Sequence, residues 1–223
     1  HGGGYGSQVQ QNFQYAKRDL YNDYEAMDTD SILSSALDIY ADETTMKNEF
    51  GDVLLIRSQK EDIQKVVHNL FYDVLNIEFN LWPWVRNLCK YGDFFLKLDI
   101  AEKYGIVNVV PLSPYEIWRE EGYDPENPYS SRFTQDGVGG KEQYESFEIA
   151  HFRLLSDTNF LPYGRAMIEP ARKTWKQLIM MEDAMMIHRI MRAPEKRMFN
   201  IDVGNIPPDE VDGYMQAIID KMK

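Results

Sequence analysis

Residues Ile149 to Pro208 read IAHFRLLSDTNFLPYGRAMIEPARKTWKQLIMMEDAMMIHRIMRAPEKRMFNIDVGNIPP. A strand-like segment leads through a polar turn into one long helix, which breaks at Arg192-Ala193-Pro194 into a second strand. Proline lacks an amide and turns the preceding residue away from helix, so the break is sharp. The helix is predicted from about Gly164 to Arg192, roughly 40 Å at ~1.5 Å per residue, whereas globular helices average ~11 residues. Pro170 lies within it and either kinks it or marks its true start. The second half, Leu178 to Met191, is apolar almost all round, interrupted by Glu182, Asp183, His188 and Arg189. Such a helix needs cover on several sides. A chain of 223 residues has few elements to supply it, so neighbouring copies are the expected cover. The candidate interface residues are Trp175, Leu178, Met181, Met185, Met186, Ile187 and Ile190. The methionines of this run read as adaptable packing rather than a cofactor box.

Three segments of this stretch are long and collinear: SDTNFLPYGR from Ser156, EDAMMIHRIMRAPEKR from Glu182 and IDVGNIPP from Ile201. Upstream lie ALDIYADETT (Ala36 to Thr45) and LCKYGDFFLKLDI (Leu88 to Ile100). Together they closely resemble the portal vertex proteins of tailed bacteriophages, of the T-even (myovirus) type, over nearly the whole chain from about Tyr24. The resemblance implies an α+β portal-protein fold, in which a mixed α/β wing is followed by a long stem helix leading into a small α/β clip. The implied organisation is a flexible N-terminal arm over 1–23, the wing over 24–163, the stem helix over 164–193 and the start of the clip over 194–223.

The resemblance further implies a homo-oligomeric ring of twelve subunits at one capsid vertex, through which double-stranded DNA passes non-specifically during packaging and ejection. Its implied partners are the terminase large subunit, the major capsid and scaffolding proteins, and neck or head-completion proteins. The implied location is the virion, with the host cytoplasm during assembly and any membrane association confined to that stage. Glu195, Lys196, Arg197, Asn200 and Asp202, at the start of the clip, are the candidate docking residues for terminase; contacts between neighbouring clips are the alternative.

Composition agrees with a conduit more than with a DNA-gripping protein. Thirty-six acidic residues against 24 basic give a net charge of −12, whereas tight duplex binding needs clustered cations to displace phosphate counterions. Arg165, Arg172, Lys173 and Lys176 are the candidates for a channel-facing stripe. A solvated face or ion pairs between subunits is the plainer reading of the same residues. Hydrophobic residues make up 43% and charged residues 27%, ordinary for a soluble protein. A single cysteine, Cys89, excludes an intrachain disulfide and any multi-cysteine metal site. No run approaches the ~18 apolar residues of a membrane span. The chain opens on His1 and ends inside an apparent helix from Asp209, which reads as a segment of a longer polypeptide.

Upstream, residues 1–15 are rich in Gly and Gln, the expected flexible arm. Ser31 to Tyr40 shows helical spacing and Val53 to Arg57 a short strand. Ser58 and Glu61 form an S-x-x-E capping pattern ahead of an amphipathic helix through Leu75. A further helix, about Leu81 to Tyr91, has Pro83 in its first turn and Gly92 past its end. Asp93 to Leu112 reads as a hairpin turning at Tyr104-Gly105, Gly122 to Gln143 as a long surface loop, and Phe147 to Leu155 as a strand.

No catalytic, cofactor or metal site is predicted. His1-Gly2-Gly3-Gly4 has no strand before it and no nucleophile elbow to serve. Gly137-Val138-Gly139-Gly140-Lys141 is followed by Glu142 where a phosphate loop needs Ser or Thr. The four histidines lie far apart. The acidic pairs Asp42-Glu43 and Glu182-Asp183 have no accompanying lysine at the spacing of a common nuclease arrangement. The alternatives are another tail or neck adaptor or, on those scattered carboxylates, a metal-dependent phage nuclease.

Overall fold

The computed structural model describes residues 4–124, 126–127, 129–137, 140–154, 162–193 and 198–222. The fold is α+β: helices α1 (Gly4–Asp28), α2 (Ser31–Thr44), α3 (Glu61–His68) and α4 (Ile77–Tyr91) precede six strands. These are β1 (Asp93–Ala101), β2 (Gly105–Leu112), β3 (Ile117–Glu121), β4 (Ser131–Gly137), β5 (Gly140–Glu145) and β6 (Ile149–Arg153). Helices α5 (Arg172–Arg192) and α6 (Pro208–Met222) follow. The chain divides into two compact units between Gln177 and Leu178, inside α5.

In the first unit, two antiparallel three-stranded sheets, ordered β2-β1-β6 and β3-β4-β5, bury one cluster of Phe95, Ile117, Phe133, Tyr144, Ile149 and Tyr163. The predicted hairpin is β1 and β2, with a register irregularity between Asp99 and Ile100. Its first strand does not simply alternate, because Phe94, Phe95 and Leu96 are all buried. A second cluster joins Tyr21, Tyr24 and Met27 of α1 to Leu37, Cys89, Tyr91, Ala166 and Ile168.

Several expectations are corrected. The N-terminal arm over 1–23 gives way to α1, whose Lys17, Tyr21 and Tyr24 are buried at helical spacing. The loop from Gly122 to Gln143 is largely β4 and β5, carried by the inward Phe133 and Tyr144. Val53 to Arg57 forms no strand; the Tyr72 hydroxyl instead accepts from Leu54 N and donates to Leu54 O. The capping box does not form, since α3 starts at Glu61, one residue after its Lys60 N-cap. That makes Glu61 the first helical residue rather than the third. Ser58 Oγ accepts from Lys60 N. Helix α3 continues as a π-helical turn, Asn69–Val74. Helix α4 starts earlier than predicted, at Ile77 after a left-handed Asn76, which leaves Pro83 inside it. Its end at a left-handed Gly92 is as read.

The long helix is shorter than its sequence suggests. A 3-10 turn over Glu169–Ala171 carries Pro170, and α5 proper begins at Arg172. Proline's ring clashes with a preceding helical turn, so Pro170 marks a start. Residues 164–166 dock without helix or strand, and 167–168 turn into the 3-10 segment. Leu154 N donates to Gly92 O at 2.9 Å, Arg165 N to Leu154 O at 3.3 Å and Met167 N to Cys89 O at 2.9 Å. A Cβ at Gly164 would lie 2.1 Å from Gly92 O, so only glycine fits that crossing.

Beneath the crossing lies Asp93, 1% exposed, which accepts from His151 Nε2 and Gly164 N, both at 2.9 Å, and from the Tyr21 hydroxyl at 3.3 Å. Beside it, Lys17 Nζ sits 3.9 Å from the Tyr163 ring centre and 4.8 Å from that of Trp118, and donates to Ile117 O at 3.4 Å. Burial pulls the Lys17 ammonium from its usual 10.5 down to about 7, against the opposing charge of Asp93. The unfolded chain therefore holds a proton between about pH 7 and 10.5 that the folded chain has released. Stability from this residue is lost as pH falls through about 7 and rises above it. Denaturant unfolding between pH 7 and 9.5 should show the wild type gaining up to ~1 kcal/mol per pH unit. Lys17→Met should flatten that slope.

Candidate functional site

Helix α5 is seated at its beginning by charge and by apolar packing. Tyr24 donates to Glu169 Oε2 at 2.6 Å, and Arg172 bonds both Asp23 at 2.8 Å and Glu169. Lys176 Nζ lies 2.6 Å from the same Asp23 carboxylate. Burial alone would raise the Asp23 carboxyl, but hydrogen bonds from Lys176 and Arg172 outweigh it and hold it below its usual range. Ala171 and Trp175 pack against the α1–α4 cluster. A second network ties α1 to α2 and α4: Arg86 bridges Asp28 at 2.8 Å and Asp38 at 2.6 Å. Lys90 pairs with Glu25 and Asp28, and Tyr91 also bonds Glu25. Burial works to raise the Asp28 carboxyl, yet Arg86 and Lys90 bring it to about 2.

From Leu178 onward the environment changes. Among the described residues between Leu178 and Lys221, none is buried. Met181 is 67% exposed and Ile190 65%, and Leu178, Met185, Met186 and Ile187 are exposed too. Large apolar side chains exposed all round one helix are not the scattered apolar surface of an ordinary monomer. In α6, Val211, Met215 and Ile218 form a half-buried stripe beside exposed Tyr214 and Ile219.

The predicted site residues thus separate. Six of the seven interface candidates are exposed, while Trp175 is half-buried and packs against its own chain's core. Of the channel candidates, Arg172 pairs with Asp23 and Glu169 and Lys176 with Asp23, acids of their own chain. Arg165 is half-buried and Lys173 exposed. Of the docking candidates, Asn200 and Asp202 are exposed, and Asp202 Oδ1 accepts from Gly204 N at 3.0 Å. Residues 198–203 form no strand, while Glu195, Lys196 and Arg197 lie outside the described residues. Sequence reading missed Asp23, Tyr24 and Glu169, the seat of α5. The spacing of Lys17, Tyr21 and Tyr24 was the available signal.

Among the described residues no cluster of His, Cys, Asp and Glu is placed to hold a metal ion, and no helix is long and apolar enough to cross a membrane. The sequence pattern of the family described as "Bacteriophage T4-like portal protein (Gp20)" matches residues 17–223. The chain belongs to this portal family. It is similar to the portal protein of Vibrio phage KVP40 (isolate Vibrio parahaemolyticus/Japan/Matsuzaki/1991), with 37% identity over 79 residues, 35% of this chain and 16% of that protein. It is also similar to the portal protein of Salmonella phage ViI, with 39% identity over 109 residues, 44% of this chain and 19% of that protein. These matches span less than a fifth of either relative. Among solved structures, a chain in "Neck of empty GTA particle computed with C6 symmetry" overlays 85% of this chain and 51% of its own length. Its TM-score is 0.47 at 11% identity, too distant to carry weight.

The seat is testable within this portal-family chain. Replacing Asp23 with Asn should cost about 1 kcal/mol at pH 7, since the paired cations are partly solvated. A group with a depressed folded pKa contributes above its ordinary value and loses that contribution as pH falls. The gap between wild type and Asp23→Asn in thermal melts should therefore close as pH falls below 3.8.

Proposed function

We propose that this chain supplies the wing, the first stem helix and the beginning of the clip of a ring-shaped portal. The ring is the channel through which double-stranded DNA enters and leaves the capsid at one vertex. The wing runs from α1 to residue 163, the stem helix lies within 164–193, and 194–223 opens the clip. The observation that carries this reading is the absence of any buried residue among those described between Leu178 and Lys221, in a chain of the portal family. Apolar surface of that extent gains about 25 cal/mol per Å² when covered. Heterologous contacts repeated around a closed ring cover a helix on more than one side.

The electrostatics suit passage rather than grip. A net charge of −12, with Arg172 and Lys176 held by Asp23, gives phosphate little to bind. The protein hydrolyses neither ATP nor DNA on this reading, and the energy for packaging comes from a docked terminase motor. Twelve subunits, the head shell, scaffold and neck proteins as further partners, and the capsid vertex as location complete the proposal.

Electron microscopy of the purified full-length protein is the direct test: closed rings with a central pore support it, and particles without one reject it. Met186→Asp would bury an unpaired charge at the subunit contact, a cost of several kcal/mol. Light scattering should find that variant unassembled while its circular dichroism stays helical. For the motor, reversing charge at Glu195, Lys196 and Arg197 together should leave rings intact and weaken terminase binding in a salt-sensitive way. Unchanged affinity in an intact mutant ring would leave these residues to contacts between neighbouring clips.

A further inference from the structure

Beyond Leu178, α5 carries two seams. Ile179, Asp183, Met186 and Ile190 follow one another at steps of four, three and four residues. Met181, Ala184, His188 and Met191 follow at steps of three, four and three. Alternating steps of three and four are the spacing by which one helix packs along another. At ~100° per residue the two seams are centred roughly 150° apart, on opposite flanks. Every member is exposed except the half-buried Ile179. Each seam holds one polar group at its middle. In the first it is the Asp183 carboxylate, an acceptor; in the second it is the His188 imidazole, whose N–H donates in either protonation state.

We infer that the first seam of one copy packs against the second seam of the next, with Asp183 of one hydrogen-bonded to His188 of the other. The occupant is a second copy of this chain because the two flanks complement each other and neither complements itself. A two-fold pairing of like seams would bring Asp183 toward Asp183 or His188 toward His188. Joining unlike seams gives the carboxylate a donor in place of a second carboxylate, and small Ala184 leaves room in the second seam. The polar pair sets register, as a buried polar residue does in coiled coils. The two groups are five residues apart along α5, about 7.5 Å. Tilting of the helices across the ring, which offsets neighbours along their own axes, and the reach of both side chains close that distance.

The inference rests on the ring reading and adds which flanks meet and which face turns inward. Seams less than 180° apart close a ring with the narrower arc inside. That arc holds Met180 and Ile187, both uncharged, while the wider arc holds Leu178, Glu182, Met185 and Arg189.

The test uses the full-length protein carrying Cys89→Ser, which removes the only cysteine in this sequence. To it are added Asp183→Cys, His188→Cys, or both. Under mild oxidation the double variant should give a ladder of dimers, trimers and higher species on a non-reducing gel, and each single variant only monomer. Single variants that crosslink to dimers would establish like-seam pairing and overturn the inference. A double variant that forms rings by negative stain without crosslinking would overturn it and leave the ring reading standing. An unsubstituted protein that forms no rings would defeat both. Independently, His188→Asp should weaken assembly about tenfold or more by opposing two carboxylates, and Asp183→His should weaken it by removing the acceptor. Combining the two should restore it; no rescue in a helical, folded double variant would also overturn the pairing.

Discussion

Where Gly92 crosses Gly164, two backbones approach more closely than any side chain permits, and the Asp93 carboxylate lies directly below. That carboxylate collects donors from α1, from β6 and from the segment leading into α5. Neutral replacements of any one donor would leave a buried charge short of partners, which is costly in a low-dielectric interior. The crossing also fixes where residues 164–168 lie, and through them where Pro170 starts the helix. The position of the α5 seat therefore follows from a glycine pair and one acid more than 60 residues before it in sequence.

Charge in the first unit is used for assembly of its own helices. Arg86, Lys90, Arg172 and Lys176 each meet acids of α1. These four cations are thereby committed within the chain. Such pairs are individually weak when exposed, but Lys90 and Arg86 are mostly shielded from solvent and share Asp28. They hold α1 on α4 with direction as well as energy.

Much of this organisation was legible in sequence where one signal was strong. The apolar run of Leu178 to Met191 marked a helix lacking intrachain cover, the Tyr104-Gly105 turn marked the hairpin, and Gly92 marked a helix end. Other elements were hidden for physical reasons. Helix α1 places Lys17 where periodicity expects an apolar residue; the lysine is buried because aromatic rings surround it. Strands β4 and β5 bury few side chains and present mostly polar ones, so their alternation reads as loop. The partners of Arg172 and Lys176 were beyond local patterns: Asp23 lies 149 residues before Arg172. The exposure of Leu178 to Met191 was readable because it depends on composition along one helix, whereas the ion pairs of Arg172 and Lys176 depend on residues distant in sequence.

The second unit, taken by itself, has no buried residue among those described. If the proposed ring is what covers this surface, its cover comes from association, and association obeys mass action. Its melting temperature would then have no single value; it would climb with protein concentration while that of the first unit, with its own core, would not. Dilute chains would then carry a first unit at full stability and a second unit still uncovered, which gains stability only as copies accumulate. Concentration itself would thus time the moment at which the helix is covered.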